Sequence, residues 1–214
     1  MAGSADMFKG SGGKPFAELH SLSHYSFLRS AASPEELVRR ADDLGYAAIA
    51  ITDECSVAGI VKAYQESKAQ GIKLIVGSEF RVTEVGTLVV LAPTREAYAE
   101  LCKKITLFRS RSEKGHYQAN IDDFFDGFSQ CLLLWQPDFS QAQLLAIGEK
   151  LKSVWQQRFW LLYERHYQAD DERAFQAMVE LQQAVKVKVT CAGGVRMATI
   201  EQQPLYDILN AIQH

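Results

Sequence analysis

Four polar residues of the types that bind metal ions each stand at the end of an apolar run. They are His20 after FAEL, Asp53 after YAAIAIT, Glu79 after IKLIVGS and His166 after RFWLLYER. Imidazole and carboxylate groups are common ligands of Zn²⁺ and Mn²⁺. If the runs are parallel strands, their carboxyl ends meet at one rim and would bring the four side chains together. Polar residues at strand ends also cap helices and solubilise loops, so the pattern alone leaves a metal cluster and separate structural roles equally open.

The first of these positions lacks the partner that a metal site on a strand end usually has. Side chains at i and i+2 leave the same face of a strand, so a pair of ligands is expected at that spacing. The residue at i+2 from His20 is Leu22, and the next histidine, His24, follows only at i+4. The opening segment therefore fits an incomplete site as well as a working one.

Seven short apolar runs alternate with amphipathic segments along the chain. The predicted strands are residues 16–20, 46–52, 72–78, 87–92, 131–135, 158–164 and 187–191. The predicted helices are residues 33–45, 57–71, 93–110, 140–155, 170–185 and 203–213. The first helix has the clearest start, because Ser33 and Glu36 can form a capping box around Pro34. The alternation predicts a parallel α/β fold whose sheet is covered on both faces, either open or closed into a barrel.

Composition and length set the class of protein. A chain of 214 residues with 47% apolar and 23% charged residues is typical of one large globular domain. The net charge of −3 gives no global basic field that would recruit nucleic acid. The four cysteines form no CxxC pair and no apolar run is long enough to span a membrane, so we expect a soluble cytoplasmic protein with reduced thiols. The Gly- and Ser-rich residues 1–15 predict a flexible tail before a domain at 16–214.

Several motifs, taken together, resemble the opening of the C-family bacterial DNA polymerases, and within them the error-prone, damage-inducible branch. They are ELHSLSHYSFLR, ITDECSVAG and GSEF, with LVVLAPTREAYAELCKKIT and RSRSEKGHY further on. The resemblance covers about residues 16–214. It implies a polymerase and histidinol phosphatase (PHP) domain, whose fold is a distorted seven-stranded β/α barrel similar to a TIM barrel. It also implies a parent enzyme that synthesises DNA during repair or translesion synthesis.

Active PHP sites hold several metal ions with His, Asp and Glu ligands, and this sequence matches that set only in part. By resemblance, His20, Asp53, Glu79 and His166 stand at ligand positions. The other ligand positions carry residues that do not match: Leu22, Arg29, Glu54, Thr87 and the run Gly194-Val195-Arg196. A guanidinium stays protonated in proteins. At about 4 Å from a unit cation it costs about 4 kcal/mol, even at an effective dielectric of ~20.

The resemblance therefore predicts a degenerate barrel that serves the polymerase as a structural or docking module without hydrolase activity. We expect no cofactor in this domain. One alternative is a vestigial site in which the four matching residues hold a single Zn or Mn ion. The other is a salt bridge in place of metal, in which Arg29 or Arg196 pairs with Asp53 or Glu79. The competing function is an active metal-dependent phosphoesterase or 3′–5′ exonuclease.

The resemblance also sets the expected partners. They are the remaining domains of the same polymerase chain, DNA through the parent enzyme, and mutasome or replication proteins, with no membrane. Nucleotidyl transfer would use Mg²⁺ held by palm-domain aspartates, which lie beyond residue 214 in the family. The basic run at 103–114 is typical of a solvated helix face and its exit loop, with contact to the DNA backbone as the alternative.

Overall fold

The computed structural model describes residues 16–213, so the predicted tail at 1–15 lies outside the described residues. The strands in this range are β1 (Ala17–Glu18), β2 (Ala48–Ile51), β3 (Lys73–Val82), β4 (Gly86–Ala92), β5 (Leu132–Pro137), β6 (Phe159–Glu164) and β7 (Lys188–Ala192). The α-helices are α1 (Pro34–Asp43), α2 (Ile60–Gln70), α3 (Arg95–Ser110), α4 (Leu144–Trp155), α5 (Asp171–Val185) and α6 (Gln203–Gln213). Every predicted strand and helix overlaps one of these elements.

Local sequence signals set the start of the first helix. The Glu36 backbone N–H donates to the Ser33 hydroxyl over 3.2 Å, and the Ser33 backbone N–H donates to the Glu36 carboxylate over 2.7 Å. Pro34 fills the first helical position, where no intrahelical donor is needed. The predicted capping box is therefore confirmed.

The sheet follows chain order from β1 to β7, but it is mixed and not wholly parallel. Strands β1 to β3 are parallel to one another, as are β5 to β7, whereas β4 is antiparallel to both of its neighbours. The prediction of a parallel arrangement throughout is thus wrong at β4. Strand β3 runs on to Val82 and β4 begins at Gly86, and so short a link can join only antiparallel strands.

Hydrogen bonds between the two ends of the sheet nearly close it into a barrel. Val195 accepts a bond from the Leu22 N–H over 2.9 Å and donates to the His20 carbonyl over 3.0 Å. The Gly193 N–H donates to the Glu18 carboxylate over 3.0 Å. These contacts bring the segment after β7 against the segment after β1. The predicted seven-stranded barrel is confirmed, and its closure lies at the rim that carries the polar strand ends.

Apolar side chains fill both the space under the helices and the middle of the barrel. Phe80, Phe108, Phe124 and Trp155 belong to the larger core, which packs helices against the outside of the sheet. A second set fills the lumen: Ala50, Val89, Leu91, Leu134, Leu162 and Ala192. Within residues 16–213, no helix combines the length and apolar character needed to cross a membrane. The packed barrel fixes the positions of the strand ends at the rim.

Candidate functional site

His20 lies at the centre of the polar rim and contacts a carboxylate through each ring nitrogen. It follows β1 and is 1% exposed. Its Nε2 lies 2.7 Å from Glu79 Oε2 within β3, and its Nδ1 lies 2.5 Å from Glu164 Oε1 at the end of β6. A neutral imidazole carries only one N–H. Two hydrogen bonds to ionised carboxylates therefore require the doubly protonated, positively charged ring.

The charges of this trio support one another. Burial alone would lower the pKa of His20, but the hydrogen bonds that it donates to Glu164 and Glu79 raise that pKa to about 9. Burial would raise the pKa of Glu164, whereas His166 and His20 lower it to about 2. Burial acts on Glu79 in the same way, and His20 and two arginines hold its pKa well below the usual range. At neutral pH the trio is an imidazolium between two carboxylates.

Glu79 is also the meeting point of three guanidinium groups, including that of Arg81, whose Nε lies 4.0 Å from Glu79 Oε1. It is fully buried, and its Oε1 accepts a hydrogen bond from Arg29 Nη1. The same Arg29 nitrogen contacts Glu54. Arg196 Nη2 lies 3.8 Å from Glu79 Oε2. The sequence left open which acid Arg29 or Arg196 would pair with, and the structure places both on Glu79.

Asp53 has a different set of partners. Its Oδ1 accepts hydrogen bonds from the Ser23 N–H over 2.8 Å and from the Ser26 hydroxyl over 2.7 Å. Its Oδ2 accepts from the Ser23 hydroxyl over 2.7 Å. Burial raises the pKa of Asp53, and the serine hydrogen bonds act against that rise. Both oxygens of this carboxylate therefore hold the loop that follows β1.

His166 lies at the edge of the cluster. Its side chain is 45% exposed, and its Nε2 is 3.3 Å from Glu164 Oε2. The hydrogen bond to Glu164 raises the pKa of His166. Gln136 Nε2 donates to the same carboxylate oxygen over 3.1 Å. His166 is thus connected to His20 through Glu164.

The four residues singled out from the sequence therefore differ in how they come together. His20 and Glu79 are in direct contact, and Asp53 joins them through its carbonyl, which accepts from the Glu79 N–H over 3.3 Å. His166 reaches the group only through Glu164. Sequence reasoning missed Glu164. The signal that could have found it is its position as the last residue of β6, two residues before His166, because side chains at i and i+2 of a strand leave the same face.

The donor set in this arrangement does not fit a cluster of metal ions. Leu22, at the i+2 position, is fully buried and offers no ligand atom. The Arg29 guanidinium lies between Glu79 and Glu54, where it already neutralises the carboxylates. In the part of the chain that the structure describes, no group of three or more His, Cys, Asp or Glu residues is placed to hold a metal ion.

Three of the five cations in the basic run at 103–114 form hydrogen bonds or an ion pair within the protein. Arg109 Nε donates to the Cys55 carbonyl over 2.9 Å. Arg111 forms a two-pronged ion pair with Asp123, with contacts of 2.6 and 2.9 Å, and Lys104 Nζ donates to the Asp123 carbonyl over 2.7 Å. Three cations of the run thus anchor neighbouring loops, which favours the structural interpretation over contact with DNA.

Sequence comparison relates the chain to polymerases. It is 95% identical over 214 residues to an error-prone DNA polymerase of Idiomarina loihiensis, covering all of this chain and 21% of that protein. It is 40% identical over 198 residues to an error-prone DNA polymerase of Saccharophagus degradans, covering 92% of this chain and 19% of that protein. The chain therefore spans about a fifth of the length of these curated relatives.

Structural comparison and a family model agree on the barrel. An amidohydrolase from Chromobacterium violaceum superposes with a TM-score of 0.62 at 14% identity, covering 85% of this chain and 87% of that one. Endonuclease Q in complex with a 27-mer duplex substrate superposes with a TM-score of 0.58 at 13% identity, covering 86% of this chain and 49% of that one. Identities this low show the fold alone. The model of the PHP domain matches residues 18–184, and the chain therefore belongs to the PHP domain family.

Proposed function

We propose that this chain is the PHP domain of an error-prone DNA polymerase that acts in DNA repair and translesion synthesis. The names and the 95% and 40% identities of its relatives support this assignment. Because the chain spans about a fifth of those proteins, nucleotidyl transfer would reside in the rest of the polymerase, where Mg²⁺ would be bound. The domain itself would be a non-catalytic structural or docking module.

One observation supports the non-catalytic role above all others. The His20 ring lies between Glu79 and Glu164, and Arg29 contacts the other oxygen of Glu79. These protein cations neutralise the carboxylates that a divalent ion would otherwise neutralise. A metal ion bound there would have to displace a buried imidazolium and a buried guanidinium. Breaking a buried ion pair by removing one partner typically costs about 3–5 kcal/mol.

The same contacts explain how the domain would act as a support. His20 follows β1, and its two carboxylate partners lie within β3 and at the end of β6. Arg29 adds the loop that precedes α1, and Glu54 adds the segment after β2. The network therefore ties the β1–α1 connection, the segment after β2 and strands β3 and β6 together across the mouth of the barrel. A barrel fixed in this way offers the polymerase a rigid surface that needs no metal.

A hydrolysis assay of the 214-residue chain tests the absence of catalysis. The substrates are bis(p-nitrophenyl) phosphate and 3′-labelled single-stranded DNA, with added Mn²⁺ or Zn²⁺. The matched control is Asp53→Asn, whose amide oxygen can still accept from the Ser23 N–H. We expect equal, background rates for both proteins. Sustained turnover that Asp53→Asn and a chelator both abolish would establish the alternative, an active metal-dependent phosphoesterase or 3′–5′ exonuclease.

A second assay tests the role within the polymerase. Primer extension across a damaged template is measured with the full-length enzyme, either unchanged or carrying His20→Gln. We expect the substitution to lower the melting temperature of the enzyme and to leave the extension rate per folded molecule unchanged. A loss of extension rate at full folding would contradict a purely supporting role. A full-length protein without template-directed synthesis would contradict the polymerase assignment itself.

A further inference from the structure

The barrel mouth opposite His20 contains an apolar cavity of about 930 Å³. It is lined by residues from the first halves of β2, β3, β5 and β6 and from the last residues of antiparallel β4. Lumens of TIM-type barrels are normally filled by layers of side chains. Here Leu134 is buried, whereas Leu19, Ile75, Leu132 and Trp160 line the cavity and remain partly exposed. The lower end of the lumen is therefore open and apolar.

Cations without acidic partners surround this opening. Lys68, Lys73 and Arg95 line it and are exposed. None of the three forms an ion pair with a carboxylate among residues 16–213, and no Asp or Glu belongs to the lining. Tyr64 and Tyr98 also line the opening and are 53% and 37% exposed. The mouth thus combines an apolar floor with a positive, aromatic rim.

We propose that this mouth binds an acidic peptide segment of a partner protein, with one large apolar side chain in the lumen and carboxylates on the rim. The three cations come from separate elements, namely the last turn of α2, the first residue of β3 and the first residue of α3. An occupant that satisfies them must carry more than one negative charge. A fatty acid has a single carboxylate, whereas a peptide rich in Asp and Glu can reach all three.

The chemistry of the mouth supports this kind of occupant on two further grounds. Partly exposed aromatic and aliphatic side chains at the floor of a concave site are typical anchors of protein–protein interfaces. The start of α3 adds the positive end of a helix dipole beside Arg95, which favours a carboxylate there. Apolar burial would supply affinity, and the rim charges would supply selectivity for acidic sequences.

Selection from a random peptide library displayed on phage tests the proposal on the 214-residue chain. We expect the enriched peptides to combine a Leu, Phe or Trp with several Asp or Glu residues. Binding of a synthetic copy that lacks Trp should shift the emission of Trp160. The other tryptophans, Trp135 and Trp155, are buried in the larger core and should respond little. Failure to enrich any peptide, or enrichment of peptides without acids, would overturn the proposal.

Charge reversal locates the binding and supplies a matched control. Replacing the rim cations together, as Lys68→Glu, Lys73→Glu and Arg95→Glu, should weaken binding of the synthetic peptide at least tenfold. The control reverses three exposed cations elsewhere, as Lys103→Glu, Lys114→Glu and Arg173→Glu, and should change binding less than twofold.

Filling the cavity and adding a competitor complete the test. Thr190 lines the cavity, so Thr190→Phe should reduce binding while the rim charges stay in place. Equal losses in the rim and control triples, or full binding by Thr190→Phe, would place the peptide elsewhere. Laurate is a simpler amphipathic anion and serves as the competitor. Tighter binding of laurate than of the peptide would show that the occupant is a fatty acid and would overturn the proposal.

Discussion

Glu79 Oε2 lies 2.7 Å from His20 Nε2, so that a buried carboxylate within β3 is bound to a buried imidazole that follows β1. Glu164 binds the other ring nitrogen and Arg29 binds the other oxygen of Glu79. The mouth at which the sequence left a metal cluster open carries a network of protein charges in the structure.

The His20 network should make stability depend on pH. The pKa of His20 is raised to about 9 in the folded chain, so its stabilisation is complete below its unfolded pKa of about 6.5 and is lost as pH rises through about 9. The shift corresponds to a loss on the order of 3 kcal/mol. The pKa of Glu164 is lowered to about 2, so its contribution is present above its unfolded pKa of about 4.3 and disappears as pH falls towards 2.

Urea unfolding at pH 6, 8 and 10 measures this dependence. His20→Gln should reduce the free energy of unfolding at pH 6. It should also remove most of the decline in that free energy between pH 6 and pH 10. His116→Gln is the control, because His116 is exposed and its loss should leave the decline unchanged. A wild-type decline that persists in His20→Gln would show that other groups cause it.

The Arg29–Glu79 pair should contribute strongly to stability. Arg29→Met leaves Glu79 buried with less charge compensation, and we expect a loss of about 3–5 kcal/mol in the free energy of unfolding. The double variant Arg29→Met/Glu79→Gln should lose less free energy of unfolding than the sum of the two single variants. Each single substitution leaves a buried charge without its partner, whereas the double variant removes both charges. Chemical denaturation of all four proteins gives this coupling energy.

A surface pair provides the comparison for that cycle. Arg39 Nη1 lies 3.7 Å from Glu66 Oε1, and the Arg39 side chain is 51% exposed. Exposed ion pairs are typically worth about 0–1 kcal/mol, so Arg39→Met should have a small effect. If Arg29→Met costs no more than Arg39→Met, the network does not stabilise the barrel as described.

Position 194 should require glycine, because the Glu164 carboxylate lies directly against it. Its φ is +60°, and a Cβ at this position would overlap Glu164 Oε2, which contacts His166 and accepts from Gln136 while His20 contacts the other oxygen. Gly194→Ala should therefore displace Glu164 and cost about 2 kcal/mol more than the backbone strain alone. Gly45→Ala measures the strain alone, because Gly45 has a φ of +72° and nothing within 4 Å of its added Cβ. Equal melting temperatures for the two variants would contradict the contact.

The elements of the fold could be predicted from the sequence because their signals are local. Ser33, Glu36 and the spacing of apolar residues after Pro34 determine where α1 begins. The direction of β4 was missed for a related reason. The apolar run predicts a strand that ends at residue 78, whereas β3 continues through Arg81 to Val82, and the short link that remains before β4 can form only a hairpin.

The site was harder to predict because its contacts join distant parts of the chain. Glu164 and His20 are 144 residues apart, and nothing near either residue specifies the other. The sequence did indicate a rim of polar strand ends, and it indicated that an arginine could stand in for metal. It could not show that the serines at 23 and 26 would occupy Asp53, because that depends on how the loop after β1 folds back.

The metal content of the protein tests the central claim most directly. The 214-residue chain is purified without chelators from cells supplied with zinc and manganese, and bound metal is measured by inductively coupled plasma mass spectrometry. The charge network predicts less than about 0.1 equivalents of zinc or manganese per chain, with no change after dialysis against EDTA. One or more equivalents, removed by EDTA and lost in Glu79→Gln, would contradict it.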